Sequence, residues 1–308
     1  MSVPALIGVD WGTSSLRAYR MDGRGTVLDV HAAPQGVMQV APGDFDAVFE
    51  AEVGAWLEGA SDLPVIASGM VGGRQGWVDV PYATCPIAPA ALVEALHPLV
   101  TARGRRVWIV PGLVVEGSFP DVLRGEETQI LGALQEHPLA RTFVLPGTHS
   151  KWATVSRGRI EGFSTFMTGE LFAVLRQHSI LGRLMAGDGF DEAAFLAGAS
   201  LGLAPDPTAG GLLHRRGSAR TLPLRERRPE AAVAAHLSGV LIGAEVREAL
   251  AADPHAGRDG PVVLVGSSEL AERYVKVLAR AEVKAVRSAA DAAARGLFQL
   301  AQLAGLLE

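Results

Sequence analysis

The chain has 308 residues, of which 48% are hydrophobic and 20% charged, and its formal net charge is -5 at pH 7. This composition is typical of a globular protein long enough for two domains, and the negative charge argues against general binding to nucleic acid or an anionic membrane. The single cysteine excludes an internal disulfide, and the eight histidines show no spacing that indicates zinc. With neither signal-peptide features nor an apolar run near the roughly 20 residues that span a bilayer, a cytoplasmic protein is expected.

The first part of the chain predicts alternating strands and helices. Strands are expected at ALIGVD, LRAYRM and TVLDVHAA, and a helix at DFDAVFEAEVGAWLEGA behind Asp44 as its N-cap. A strand at LPVIAS, a glycine-rich loop, a helix at PAALVEALHPLV and a strand at RVWIVPGL follow. Through the helix at PAALVEALHPLV, the predicted order is β-β-β-α-β-α.

The opening pattern returns in the middle of the chain. Gly12-Thr13-Ser14-Ser15 joins two predicted strands, and Gly147-Thr148-His149-Ser150 does the same after the strand TFVL. The repeat indicates an internal duplication, and we expect two domains, 1–120 and 121–308. The rest predicts alternating helices and strands. The segment from His214 to Arg228 is rich in arginine but lacks interleaved aromatic residues. This pattern predicts a solvated loop and not a nucleic-acid site.

The repeated turns are candidate phosphate sites. Backbone N–H groups of a tight glycine turn form an anion-binding concavity, and threonine and serine hydroxyls add donors. A single turn of this kind is more often ordinary turn chemistry, but two in matching contexts predict binding of a polyphosphate. The candidate residues are Gly12, Thr13, Ser14, Gly147 and Thr148. Lys151, one of only three lysines, either reaches a phosphate or is a solvated strand residue.

Acidic residues lie where phosphoryl transfer would need them. Asp10 ends the first strand, where one carboxylate suffices for a phosphate-bound Mg²⁺, although an aspartate capping its own turn is also common. Glu126 and Glu127, in RGEETQILGAL, are candidates for the base that accepts a hydroxyl proton. They also suit the first turn of a helix through its dipole.

Six segments together resemble the 2-dehydro-3-deoxygalactonokinase family of the sugar kinase, heat-shock chaperone and actin superfamily. They are GVDWGTSSLRAY, SGMVGGRQGW, GEETQILGAL, LPGTHSKWA, FSTFMTGELFAVLRQHSILG and GLLHRRGSART. The resemblance implies an α/β fold of two ribonuclease-H-like lobes with an ATP and sugar cleft between them. It implies ATP-dependent phosphorylation of the 6-hydroxyl of 2-dehydro-3-deoxy-D-galactonate in galactonate catabolism, with ATP and Mg²⁺ as cofactors. It leaves a homodimer open.

The resemblance also implies residue roles. Asp10 would hold Mg²⁺ through water, and the two glycine-threonine turns would line the phosphates. Glu126 matches the Gly-Asp position of related sugar kinases and would be the base, but glutamate in place of aspartate keeps Glu127 in contention. Gly266 and Ser267, in VLVGSSEL, would face the adenosine end.

An anionic sugar-acid substrate needs local donors. The substrate candidates are Ser68, Gly69, Gly72, Arg74 and Trp77. Arg74 would meet the carboxylate bidentately, although a loop arginine is often only solvated, and Trp77 would wall the sugar. The alternatives are a kinase for the gluconate epimer or another sugar acid, and a non-catalytic ATP or sugar sensor, which would not need a carboxylate base.

Overall fold

The computed structural model describes residues 3–60, 62–185, 189–204, 211–215, 217–221 and 230–307. The strands are β1 (Pro4–Trp11), β2 (Leu16–Asp22), β3 (Val27–Ala33), β4 (Val65–Ser68), β5 (Ala83–Thr84), β6 (His97–Val100), β7 (Arg106–Ile109), β8 (Leu113–Val115), β9 (Asp121–Leu123), β10 (Thr142–Leu145), β11 (Ser150–Ser156), β12 (Arg159–Phe166), β13 (Val262–Leu264) and β14 (Ala285–Arg287). The helices are α1 (Phe45–Leu57), α2 (Pro89–Glu94), α3 (Glu126–Glu136), α4 (Thr168–His178), α5 (Glu192–Leu203), α6 (Leu212–Arg215), α7 (Glu230–Ala252), α8 (Ser268–Arg280) and α9 (Ala292–Leu303). Within these ranges no helix has both the length and the apolar character to cross a membrane.

The chain divides into two compact units. Unit 1 comprises Met1–Leu139, Ala153–Phe163 and Ser288–Glu308, and unit 2 comprises Ala140–Trp152 and Ser164–Arg287. The C-terminal helix α9 therefore belongs with the N-terminal part of the chain. The domain boundary after residue 120 stays a prediction.

Unit 1 is built on a six-stranded mixed sheet in the order β3-β2-β1-β4-β7-β6. Antiparallel hairpins join β1, β2 and β3, while β1, β4 and β7 run parallel and β6 is antiparallel to β7. Trp11, Phe45 and Phe49 are buried in the core between this sheet and α1. The parallel centre brings the carboxyl ends of β1 and β4 to the same edge.

Unit 2 contains three neighbouring parallel strands, β10, β13 and β14, of a five-stranded sheet in the order β12-β11-β10-β13-β14. Its core includes Phe195, Trp152 and Tyr274. Helices α5 and α7 approach through glycines: a side-chain carbon on Gly198 would lie 2.1 Å from the His236 carbonyl oxygen, and one on Gly239 would lie 2.1 Å from that of Phe195. Only glycine permits this separation.

The strand-turn-strand repeat predicted from the sequence is confirmed, since β1 and β2 flank the first turn and β10 and β11 the second. The helix predicted over PAALVEALHPLV is wrong beyond Glu94, because His97–Val100 pairs with β7 as the sheet's edge strand. Asp44 precedes α1 as predicted, but its side chain makes no capping hydrogen bond. Of the predicted loop from His214 to Arg228, residues 216 and 222–228 lie outside the described residues, and the prediction is wrong for His214 and Arg215, which end α6.

Candidate functional site

In unit 1, Asp10 lies near the end of β1, two residues before Gly12 of the first glycine-threonine turn. Parallel pairing sets Asp10 beside Ser68, the last residue of β4. The turn is closed by a hydrogen bond of 2.9 Å from the Gly12 N–H to the Ser15 carbonyl oxygen, and Thr13 and Ser14 are exposed. The predicted phosphate turn is thus adjacent to a carboxylate at the edge of the sheet, where ligands of such folds usually bind.

The start of α3 meets this edge through close backbone contact. Gly125, with φ of 106°, precedes the helix, and a side-chain carbon there would lie 3.1 Å from the Cα of Gly69. The Thr128 hydroxyl donates to the Gly125 carbonyl oxygen at 2.8 Å and lies 3.2 Å from the Ser68 hydroxyl. These contacts fix the first turn of α3, which carries both candidate glutamates, against the end of β4.

The two glutamates have different environments. Glu127 has no exposed surface; its Oε2 accepts from the Gly125 N–H at 2.7 Å, and its Oε1 has no hydrogen-bond partner in the described part of the chain. Glu126 is only partly buried, and its Oε2 accepts from the Arg124 N–H at 3.0 Å. Burial, and then the charge of Glu126, raises the pKa of Glu127 to about 8. A neutral Glu127 beneath an accessible Glu126 is the arrangement expected near neutral pH.

The negative charge of Glu126 also acts on Asp10. Burial raises the pKa of Asp10 to about 6; Arg17 lowers it, and Glu126 raises it further. A hydrogen bond from Gln129 on α3 also favours the charged form. Asp10 and Glu126 are therefore close enough to repel each other, and a cation or a phosphate-bound metal ion would relieve that repulsion.

Arg124 is a buried residue that sequence reasoning missed. Its Nη2 donates to the Val80 carbonyl oxygen at 2.8 Å, and its guanidinium lies 4.2 Å from the Tyr82 ring centroid. A side-chain carbon at Gly72 would lie 3.1 Å from its Nη1. Arg124, which is buried two residues before α3, thus contacts the glycine-rich loop from the protein interior and supports it. The dipeptide Arg-Gly reads as a solvated turn in a sequence, which conceals this role.

The predicted substrate residues are not equally accessible. Arg74 is exposed, whereas Ser68 is fully buried. Trp77 is half-buried, with its ring centroid 5.4 Å from that of Phe49 and 6.1 Å from that of Trp11. Gly69 has φ of 97°, and a side-chain carbon there would lie 2.6 Å from the Trp11 carbonyl oxygen. Among these residues, Arg74 is the one whose charge faces solvent.

In unit 2, the second turn rests on a buried polar network. The Ser150 hydroxyl lies 2.8 Å from the Tyr274 hydroxyl, which donates to Glu245 Oε2 at 2.7 Å. The Trp152 Nε1–H donates to Glu245 Oε1 at 2.8 Å. Burial raises the pKa of Glu245, and a hydrogen bond from Thr168 is foremost among the contacts that oppose the shift. A glutamate within the apolar run VLIGAEVREAL was the only sequence signal of this network.

The other predicted nucleotide residues of unit 2 lie around the same turn. Lys151 is buried, and its Nζ donates to the Thr165 hydroxyl at 2.6 Å. A side-chain carbon at Gly266, which is exposed with φ of 134°, would lie 3.7 Å from the Pro146 carbonyl oxygen. Ser267 is exposed at the start of α8 and makes no side-chain capping bond. His149, in the turn itself, contacts Glu170 of α4.

Within the described ranges, no group of three or more histidine, cysteine, aspartate or glutamate side chains could hold a metal ion. Asp10 nevertheless suits Mg²⁺, which usually keeps several waters and takes one or two carboxylates together with phosphate oxygens. The carboxylate chemistry of Asp10 therefore fits a metal ligand, and that of the partly exposed Glu126 fits a proton acceptor.

A family model described as 2-keto-3-deoxy-galactonokinase matches residues 10–300. DgoK1 of Rhizobium meliloti (strain 1021), named a probable 2-dehydro-3-deoxygalactonokinase, is 37% identical over 305 residues, or 95% of this chain and 97% of the relative. The 2-dehydro-3-deoxygalactonokinase of Escherichia coli (strain K12) is 35% identical over 273 residues, or 87% of each chain.

Solved structures show the same similarity. A crystal structure of a Sinorhizobium meliloti protein that carries the same kinase name has a TM-score of 0.88 and 35% identity, over 96% of this chain and 98% of that one. The activator of the 2-hydroxyisocaproyl-CoA dehydratase from Clostridium difficile, solved with bound ADPNP, has a TM-score of 0.54 and 13% identity, over 97% and 95%. The latter likeness concerns the fold alone, and the two-lobe ribonuclease-H-like α/β class predicted from the sequence is confirmed.

Proposed function

This chain belongs to the 2-keto-3-deoxy-galactonokinase family, and we propose that it transfers the γ-phosphoryl group of ATP to the 6-hydroxyl of 2-dehydro-3-deoxy-D-galactonate. The resemblance inferred from the six sequence segments is confirmed by these matches, and the protein is a kinase. The observation that carries the residue assignment is that the partly exposed Glu126 begins α3, whose first turn contacts Ser68 at the end of β4, beside Asp10.

Glu126 is the proposed base. Its partly accessible carboxylate accepts the proton of the 6-hydroxyl as that oxygen bonds to the γ-phosphorus and the bond to the ADP oxygen breaks. Glu127, fully buried and bound to the Gly125 N–H, supports the helix start instead of touching the substrate. The sequence left both glutamates in contention, and their difference in burial supports the choice of Glu126.

We propose the roles of the other predicted site residues from where each one lies in its unit. The turns at Gly12-Thr13-Ser14 and Gly147-Thr148 donate N–H groups to the phosphates, and Gly266 and Ser267 face the adenosine end. Asp10 would hold Mg²⁺ brought with ATP, which would neutralise charge on the phosphate oxygens. Exposed Arg74 pairs with the substrate carboxylate. Lys151 is buried in β11, where its Nζ donates to the Thr165 hydroxyl, and it supports the second turn from there.

The test is ADP release with Mg-ATP and a panel of acceptors: 2-dehydro-3-deoxygalactonate, its gluconate epimer, several aldoses and no acceptor. We expect turnover with the galactonate compound, and a loss of about 10²- to 10⁴-fold in kcat for Glu126→Gln. Glu127→Gln, the matched isosteric control, should lower kcat much less. A larger loss in Glu127→Gln would identify Glu127 as the base.

Other outcomes of the panel would replace the proposal. Faster turnover with the gluconate epimer would make the protein a kinase for that acid. ATP binding without acceptor-dependent turnover would indicate a sensor and would contradict the proposed base.

A further inference from the structure

A glycine from the segment after β3 lies against the first glycine-threonine turn. A side-chain carbon on Gly36 would lie 2.3 Å from the carbonyl oxygen of Thr13 and 2.3 Å from the carbonyl carbon of Ser14. The next residues bond to the turn: the Val37 N–H donates to the Gly12 carbonyl oxygen at 2.9 Å, and the Met38 N–H to that of Thr13 at 3.2 Å. Backbone hydrogen bonds from this segment therefore hold the turn.

The second turn has the same support in unit 2. A side-chain carbon on Gly169, which follows β12, would lie 2.3 Å from the Gly147 carbonyl oxygen and 2.8 Å from the Cα of Thr148. The Glu170 N–H donates to the Thr148 carbonyl oxygen at 2.9 Å. In both copies a glycine after the third strand of the repeat touches the turn, and the threonine carbonyl accepts a backbone hydrogen bond.

This support fixes the orientation of the peptide groups that matter for an anion. Three carbonyl oxygens of the turns, which would repel phosphate, accept hydrogen bonds from the supporting segments: those of Gly12, Thr13 and Thr148. In the first turn, the amide N–H groups of Thr13 and Ser14 enter none of the hydrogen bonds recorded within the described ranges. Donors held in place before binding need no reorganisation when the phosphate arrives.

We propose that Gly36 and Gly169 are positioning residues for the nucleotide phosphates: each admits the backbone segment that holds its glycine-threonine turn in the anion-binding conformation. The inference rests on the proposed ATP-dependent function. Each of the two repeated turns thus has its own supporting glycine, and neither glycine belongs to the Gly-Thr-X-Ser pattern.

The test compares Gly36→Ala and Gly169→Ala for binding of ATP, ADP and adenosine. Contacts as short as 2.3 Å to backbone force the turn to move, so we expect the Kd for ATP and ADP to rise about tenfold in each variant. The Kd for adenosine and the KM for the sugar acid should change less than twofold. Matched controls are Gly23→Ala in unit 1, where the added carbon would lie 3.9 Å from the Ala5 Cβ, and Gly211→Ala in unit 2, where it would meet open space.

The outcomes separate this inference from the proposed function. Equal weakening of adenosine and ATP would show a general structural role and overturn the inference, as would unchanged ATP binding in an active background. A wild-type protein that neither binds nor turns over ATP would overturn the proposed function, and the inference with it.

A milder variant covers the case in which Gly36→Ala does not fold. The Trp11 Nε1–H donates to the Gln35 carbonyl oxygen at 2.7 Å, next to Gly36, and Trp11→Phe removes this bond while keeping a buried ring. We expect about a threefold rise in the Kd for ATP relative to adenosine, a change of under 1 kcal/mol. An unchanged ratio in a folded Trp11→Phe variant would overturn the inference.

Discussion

The carboxyl group of Glu127 links the acidity of unit 1 to its stability. Its pKa is raised from 4.5 to about 8 by burial and by Glu126. Between these values the folded chain keeps a proton that the unfolded chain has released, so the free energy of unfolding falls as pH rises. The stabilisation from this group is fully present below pH 4.5 and is lost as pH approaches 8.

We therefore predict that Glu127→Gln, which stays neutral at every pH, removes this dependence. Relative to the variant, the wild-type free energy of unfolding should fall by about 1 kcal/mol per pH unit between about pH 5 and pH 8. Urea unfolding at several pH values measures it, with the exposed Glu58→Gln as control. Parallel curves for wild type and Glu127→Gln would contradict the raised pKa.

At the scale of residues, the sequence predicted those conformations that are set by neighbouring residues in the chain. Gly12 and Thr13 lie in a turn because both flanking segments have strand patterns, and Glu126 begins a helix because apolar spacing follows it. The burial of Arg124, and the contact of Gly36 with Ser14, depend on segments brought together by folding. No local pattern encodes them.

At the scale of elements, α3 is held against α9 by two glycines. A side-chain carbon on Gly132 would lie 1.8 Å from the Ala292 carbonyl oxygen, and one on Gly296 would lie 1.8 Å from that of Thr128. The helix that carries Glu126 is thus placed by backbone contact with the C-terminal helix of the same unit. Movement of α9 would displace the proposed base.

We predict that Gly132→Ala destabilises the protein by about 1 to 3 kcal/mol or more, because the helices must separate to admit a methyl group. The kcat should fall together with stability, since the separation displaces Glu126. Thermal unfolding and the ADP-release assay measure the two effects. Gly162→Ala is the control, because its added carbon would lie 3.8 Å from the nearest side-chain atom, Val115 Cγ2. Equal behaviour of the two variants would refute close packing at Gly132.

The wrong helix prediction also belongs to this scale. PAALVEALHPLV has apolar residues at helical spacing, but α2 ends at Glu94 and His97–Val100 forms an edge strand. Pro98 is tolerated there because an edge strand has one side without ladder partners. Pairing with β7 decided the conformation, and a short apolar run cannot show that in advance.

At the scale of the molecule, the same structural motif occurs once in each unit. It is a glycine-threonine turn between two strands that is contacted by a glycine later in the chain. If ATP phosphates contact both turns, as proposed, ATP must protect amides in unit 1 and in unit 2. Adenosine lacks phosphates and should protect neither turn. The Glu126→Gln variant keeps ATP intact during such a measurement.

We therefore predict that ATP slows hydrogen exchange at residues 12–15 and at 147–150 of Glu126→Gln. At 100 times the Kd, mass action allows stabilisation of up to about 2.7 kcal/mol, close to a hundredfold slowing where exchange requires release of the nucleotide. Mass spectrometry of peptides covering each turn measures the protection. Slowing at one turn alone would mean that the other does not contact phosphate, and the repeated turn would then be a relic of duplication without a shared role.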